Sequence, residues 1–438
     1  MDELGRIARM GRRRRAGRPS VLLLLSCCLS VPPFLSAQAP FDQAARDLAS
    51  TDPETRLRAA QQLRDTAYPE AALPLARAVA DTYDEVQLAA IGAELNIFLA
   101  EKVVTRKRVA LVVEVRNQIL AEAAFTAGPA ALGALPVPPE VLDALRFASR
   151  DDNPRVAIEA LYAFGTLGFV PAGAARRTLL GQSGPDVAAL LGTQDAAKRY
   201  AAARVMGRLF ARRAQDGPID ATVGDAVITA LNDSDRAVKA AAMSALGAMR
   251  YERGVQALTD LFAFYGKGDN AEAALDALAR IAHPSSAPLL VAQLTGRNTA
   301  LRAIAIEGLA RVGDQARLAD IRAAADADRS DAVTLAGAFA SALLENGSVE
   351  RIAAALTKAK LRDRARQYVA EIAAHRASVF AAQLMDPDER IRLDIVDAIG
   401  LAGDPAALSL VEPLLKDRDE QVARAAERAA MRLRALTP

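Results

Sequence analysis

The chain has 438 residues, of which 52% are hydrophobic but only 4% aromatic, with no tryptophan. Charged residues make up 25%, the share of an ordinary soluble protein, which excludes a disordered chain and a bundle of membrane spans. A formal net charge of +2 is too small to mark a nucleic-acid surface, which needs clustered neutralising charge.

The first residues do not belong to a fold. Arg12, Arg13, Arg14, Arg15 and Arg18 form a basic cluster, and Val21 to Leu35 an apolar run broken by Pro32 and Pro33. Ala37, Gln38 and Ala39 then give a small-x-small cleavage signal. This order predicts a signal peptide over residues 1–39, and hence an exported chain, periplasmic or extracellular. Pro40 hinders a cut after Ala39, which leaves a cut after Ala37 open, and a start at Met10 would keep the whole basic cluster. The apolar run is shorter than the roughly 20 residues of an ordinary span. The alternatives are a buried helix, an uncleaved anchor, or a lipid on Cys27 or Cys28, the last two of which would tether the chain to a membrane. These two cysteines are the only ones, so the mature chain would hold no disulfide, thiolate nucleophile or cysteine metal ligand. The leader takes seven arginines and two acids out of 55 basic and 53 acidic residues, leaving a net charge of −3. The basicity is therefore that of an export signal, and no nucleic-acid partner is expected.

Residues 40–127 read as divergent helical repeats, with weak copies starting at Leu57 and Val86. Within them, Glu101 to Ala127 departs from the pattern: Lys102, Arg106, Lys107, Arg108 and Arg116 surround the apolar run Val109 to Val113. Such a charge run is the solvated side of a longer helix, or a contact for an acidic partner or lipid headgroup. It is the candidate partner-binding set. Val109 to Val115 is also the place where β-branched residues favour a strand. Residues 128–139 are a Pro/Gly-rich loop that Pro136, Pro138 and Pro139 should hold extended.

Residues 140–438 form a regular array. From Val238, apolar or small residues follow at +4, +7, +8 and +11, as Ala242, Ala245, Leu246 and Met249, one face of an α-helix. The template fits again from Val156, Leu301, Leu361, Ile391 and Val422, and with a polar first residue from Lys198, Asn270 and Asp331. Most starts lie about 30 residues apart, room for two short helices and two turns. Two longer intervals coincide with insertions at Gly181 to Pro185 and Asp216 to Asp220. Alanine fills most of each face, which suits close helix packing and high helix propensity. The larger residues at +8, Leu246, Leu278, Leu309, Phe339, Val369 and Ile399, should be the structural core.

The turns repeat as well. Asp52-Pro53, Asn153-Pro154 and Asp386-Pro387 place an oxygen-bearing cap before a proline, and Asp81, Asp151, Asp233 and Asp417 read as equivalents. Gly313 and Gly403 should end helices in a left-handed turn. Arg302, Arg392 and Lys239 follow the first template residue and should pair with turn aspartates of adjacent repeats.

Segments such as Leu231 to Ala241 (LNDSDRAVKAA), Leu294 to Gly313 and Leu384 to Gly403 resemble HEAT repeats, in particular the short bacterial kind related to phycobilisome-lyase repeats. The resemblance is good from about Asp151 to the end and weak before it. It implies an all-α superhelix of stacked antiparallel helix pairs. Members of the family usually act as scaffolds or partner-binding surfaces; some attach bilin chromophores in the cytoplasm, which the export signal argues against.

Catalytic motifs are sparse. His283 and His375 have no metal-like spacing to a second ligand. Gly181-Gln182-Ser183-Gly184-Pro185 has proline where a nucleophile elbow needs glycine. Gly266-Lys267-Gly268 lacks the spaced glycine of a phosphate loop and reads as a turn. Asp394 and Asp397 share helical spacing and should be exposed. The expectation is therefore an exported, non-catalytic scaffold or adaptor binding a protein partner through its concave face and loops, with no catalytic residue, metal or cofactor. The alternative is an enzyme or enzyme subunit, lyase-like, using the divergent N-terminal region.

Overall fold

The computed structural model describes residues 34–100, 120–170, 173–213 and 216–436. Helices α1 (Phe34–Asp47) and α2 (Pro53–Thr66) lead into α3 (Ala72–Ala78) and α4 (Asp84–Phe98). Then come α5 (Leu120–Ala127), α6 (Pro139–Ala148), α7 (Pro154–Leu167), α8 (Ala174–Leu190), α9 (Ala196–Leu209), α10 (Ala221–Thr229) and α11 (Arg236–Met249). Helix pairs continue as α12 (Val255–Tyr265) and α13 (Asp269–Ile281), α14 (Ala287–Gln293) and α15 (Thr299–Val312), and α16 (Leu318–Ala327) and α17 (Asp331–Leu344). The array ends with α18 (Glu350–Ala355), α19 (Arg362–Arg376), α20 (Glu389–Ala402), α21 (Leu408–Val411) and α22 (Glu420–Arg434). The described residues form no strand; a single antiparallel bridge joins Leu99 to Leu132.

Two layers result. The inner layer runs α7, α9, α11, α13, α15, α17, α19, α20, α22, each helix packed on the next. The shorter helices between them, and short 3-10 turns such as Ala377–Phe380, form the outer layer. Each of the nine template starts falls at the beginning of one inner helix, and Leu57 and Val86 fall at α2 and α4. Leu246, Leu278, Leu309, Phe339, Val369 and Ile399 are all completely buried.

The scarcity of large side chains has a geometric reason. A Cβ on Gly400 would lie 2.8 Å from the Cα of Ala429, and one on Gly247 would lie 3.0 Å from the Cα of Ala277. Neighbouring inner helices approach backbone to backbone, so only glycine and alanine fit the seam, and the larger residue one position earlier fills the space behind it.

The caps follow the same logic with one shift in register. Asp52 and Asn153 cap α2 and α7 from the residue before proline, their side chains accepting from the Thr55 and Arg155 amides. Asp386 does not cap α20; Asp388 does, accepting from the Arg390 amide. Asp386, Asp151, Asp233 and Asp417 instead sit two residues ahead of the cap, where each accepts from the cap residue's own N–H. The second oxygen of Asp151 accepts from Gln87, while that of Asp233 accepts from Arg199 and that of Asp417 from Arg392. Arg302 takes this role toward Asp328 at 2.7 Å, whereas Lys239 turns to the Tyr265 hydroxyl at 3.3 Å. The expected insertion at Gly181 to Pro185 is not a loop. It lengthens α8, which carries Pro185 inside it.

Candidate functional site

The inner helices all point their C-terminal ends to one rim. There the chain turns left-handed at Arg250, Ala282, Gly313 and Gly403. The rim closes on itself: the Arg432 Nη2 of α22 donates to the carbonyl oxygens of Leu132 at 2.7 Å and Pro129 at 3.2 Å, about 300 residues away in sequence. The enclosed space is a cavity of about 1450 Å³. One wall is the strap Gly133 to Val137, which bends at Ala134 and Leu135, and the others are the ends of α7, α9, α11, α13, α15, α17, α19, α20 and α22. Leu135 and Met431, 45% and 39% exposed, present apolar surface to it.

Arginines supply half of the polar lining, Arg212, Arg213, Arg250, Arg311 and Arg432, and Glu252, Gln315, Glu371, His375 and Asp404 supply the rest. Arg213 lies 4.3 Å from the ring centre of Phe169 and donates to the Val170 carbonyl at 2.9 Å. Burial, reinforced by Arg176 nearby and opposed by Asp216, pushes its pKa down to about 10. Arg212 and Arg250 extend into the cavity, exposed. Among the described residues neither guanidinium makes a hydrogen bond or an ion pair. Burial holds the Arg250 pKa below its ordinary value; Glu371 opposes this, while Arg311 and Arg212 add to it.

Below the cavity lies a buried charge network. Glu307 accepts from the Tyr368 hydroxyl at 2.5 Å, from Arg311 at 3.2 Å and from Arg364 at 3.1 Å. Arg311 also forks onto Glu371, both bonds 2.8 Å, and Arg364 reaches Asp276 at 3.0 Å. This ties α13, α15 and α19 together across repeats that are not adjacent. Burial and then Glu307 push the Tyr368 hydroxyl well above its ordinary pKa. Asp276 is held low by Arg280 and Arg364 against the cost of its burial. These bonds join three inner helices, so the network acts as a cross-brace.

The candidates read from sequence fall in several places. Lys102, Arg106, Lys107, Arg108 and Arg116 lie outside the described residues, as do Val109 to Val115 and Cys27 and Cys28. Ala37 and Ala39 fall within α1. Ser183 is buried inside α8, its hydroxyl donating to the Leu179 carbonyl at 2.6 Å, so it is not an elbow nucleophile. Gly266 and Gly268 have positive φ values of 65° and 82° at the α12–α13 turn. His283 caps a 3-10 turn by accepting from the Ser285 amide, while His375 stands on the cavity rim. Asp394 and Asp397 are buried, contrary to the expectation of exposure. Arg362 forks onto Asp394 at 2.9 and 3.1 Å, because stacking α19, α20 and α22 covers that face. The rim arginines escaped the sequence reading. Their one signal is that Arg250 stands where Gly313 and Gly403 stand in other copies.

Residues 185–263 match the family model for HEAT repeats, and the same helix-pair geometry continues on both sides of that stretch. No curated protein matches the chain. Among solved structures, an engineered protein is similar at 19% identity, with 90% of this chain and 99% of that one covered and a TM-score of 0.43. The complex of CpcE and CpcF of phycocyanin lyase from Nostoc sp. PCC7120 is similar at 20% identity over 61% of this chain and 96% of that one, with a TM-score of 0.38. Kap95p, solved with RanGDP, is similar at 15% identity over 89% of this chain and 50% of that one, with a TM-score of 0.36. The scores are low, and the fold rests on the helix pairs themselves.

Proposed function

We propose that this HEAT-repeat protein is an exported, non-catalytic scaffold that holds a protein partner in the cavity and along the rim of its inner helix layer. The observation that carries the reading is the closure of the rim by Arg432 on Leu132. It turns a solenoid face into an enclosed, preformed surface of mixed apolar and cationic character. Preformed surfaces bind without first paying to order themselves, and stacked repeats are suited to offering them. The export half of the proposal rests on the order of basic cluster, apolar run and small-residue cleavage signal in residues 1–39.

Crosslinking in the native host followed by mass spectrometry tests the binding half. The expected result is a recurrent protein partner with crosslinks on the inner layer. Recovery of chaperones alone would overturn it. For the export half, envelope fractionation with N-terminal sequencing should find the chain outside the cytoplasm, beginning after residue 37 or 39. A cytoplasmic chain retaining its N-terminus would overturn that half.

A further inference from the structure

Two arginines from neighbouring repeats, Arg212 after α9 and Arg250 after α11, reach into one cavity without a partner among the described residues. Elsewhere the protein pairs its inner-layer arginines: Arg311 with Glu371, Arg364 with Asp276 and Glu307, Arg362 with Asp394. Both guanidiniums line the same cavity, and of the charges acting on Arg250 the acidic Glu371 weighs most, ahead of Arg311 and Arg212. A guanidinium pair left open in a concave site is a fork for carboxylates.

The rest of the wall narrows the ligand. A site for a small ligand occupies roughly 300–1,000 Å³, and this cavity exceeds that range. Leu135 and Met431 add exposed apolar surface beside the arginines. The strap bends at Ala134 and Leu135, and the amides of Ala134, Leu135 and Val137 donate to no acceptor among the described residues. Free amides beside apolar surface can receive the carbonyl oxygens of a bound peptide.

We propose that the cavity takes an extended peptide segment of the partner, carrying carboxylates for Arg212 and Arg250 and apolar side chains for Leu135 and Met431. This rests on the scaffold reading above and names the chemistry of its partner. The carboxylates of the segment receive the guanidinium N–H donors, and its apolar side chains cover Leu135 and Met431.

The test uses the full chain and a short fluorescent peptide alternating aspartate and leucine, with an asparagine–leucine peptide as control. The acidic peptide should bind, and binding should weaken as salt is raised. R212Q/R250Q should weaken it by about tenfold or more, equivalent to about 1.4 kcal/mol, with an unchanged melting temperature. Equal binding of the control peptide, or unchanged binding by the double variant, would overturn the proposal. So would binding of inorganic phosphate at these arginines without binding of the peptide, which would make this a small-anion site. Loss of melting temperature without loss of peptide binding would make the two arginines counter-charges for helix ends and nothing more. A native partner crosslinked only to the outer layer would remove this inference and leave the scaffold standing. Peptide binding in a host that yields no partner would do the reverse.

Discussion

Arg392 of α20 grips Asp417, the turn aspartate of the next repeat, with two parallel bonds: Nε to Oδ2 at 2.8 Å and Nη2 to Oδ1 at 2.7 Å. Its remaining nitrogen, Nη1, donates to the Asp386 carbonyl at 2.7 Å, and Asp417 also accepts from the Asp419 amide at 2.8 Å. One guanidinium thus ties two successive turns and one helix cap. Arg56 with Asp81 and Arg199 with Asp233 repeat the arrangement. Because both partners are buried at 3% for Arg392 and 9% for the Asp417 side chain, water competes poorly for the pair.

R392A should therefore cost about 1.5–3 kcal/mol, the range for hydrogen bonds to charged groups. Urea unfolding of R392A, D417N and the double variant gives the coupling between them. A double variant that loses the full sum of the two single losses would show that the pair acts as two independent surface charges.

The ladder also sets an acid limit. The hydrogen bonds from Arg392 and Arg199 hold the Asp417 and Asp233 carboxyls below the usual range. A carboxyl whose folded pKa is depressed stabilises the fold above its unfolded value of about 4, and that stabilisation is lost as pH falls through the folded value. Calorimetry should show the melting temperature dropping below about pH 4, with a shallower drop in D417N.

Glu94 works in the opposite direction. It is completely buried in α4, neither oxygen has a partner among the described residues, and burial pushes its pKa up to about 9. A raised folded pKa favours the protonated form, so its contribution is intact below about pH 4.5 and erodes as pH rises toward 9. At pH 7 keeping Glu94 protonated costs about 3 kcal/mol relative to an unfolded glutamate. E94Q should flatten the fall in stability between about pH 5 and pH 9. An identical slope in the wild type and E94Q would place the titration elsewhere.

Leu309 and Gly400 probe the inner seam from opposite sides. L309A opens a hole that its alanine-lined neighbours cannot fill and should cost about 2–5 kcal/mol. G400A pushes a methyl onto the Ala429 backbone and should cost about 1–3 kcal/mol. Hydrogen exchange should show L309A loosening α13, α15 and α17 before α4, because solenoid contacts are local. Uniform loosening along the chain would mean that rim closure, and not neighbour packing, governs stability.

The sequence by itself determined the repeat. Apolar spacing at +4, +7, +8 and +11 marks one helix face, and the copies at Val238, Leu301, Ile391 and Val422 mark where each inner helix starts, because both signals are local to one helix. The buried +8 residues follow from the same periodicity. The capping register slipped by two residues at Asp386, because an aspartate before proline and one two residues ahead of the true cap differ only in which amide they receive. Closure lay beyond the sequence altogether. Whether Arg432 meets Leu132 depends on the small rotation between successive repeats, summed over the array. No single repeat encodes that sum. Burial of Asp394 and Asp397 and the placing of Arg212 and Arg250 in one cavity arise the same way, when neighbouring helices stack. The cavity and its open arginines were therefore decided by tertiary structure: they are properties of the accumulated curvature, while the helices that build it are properties of the chain.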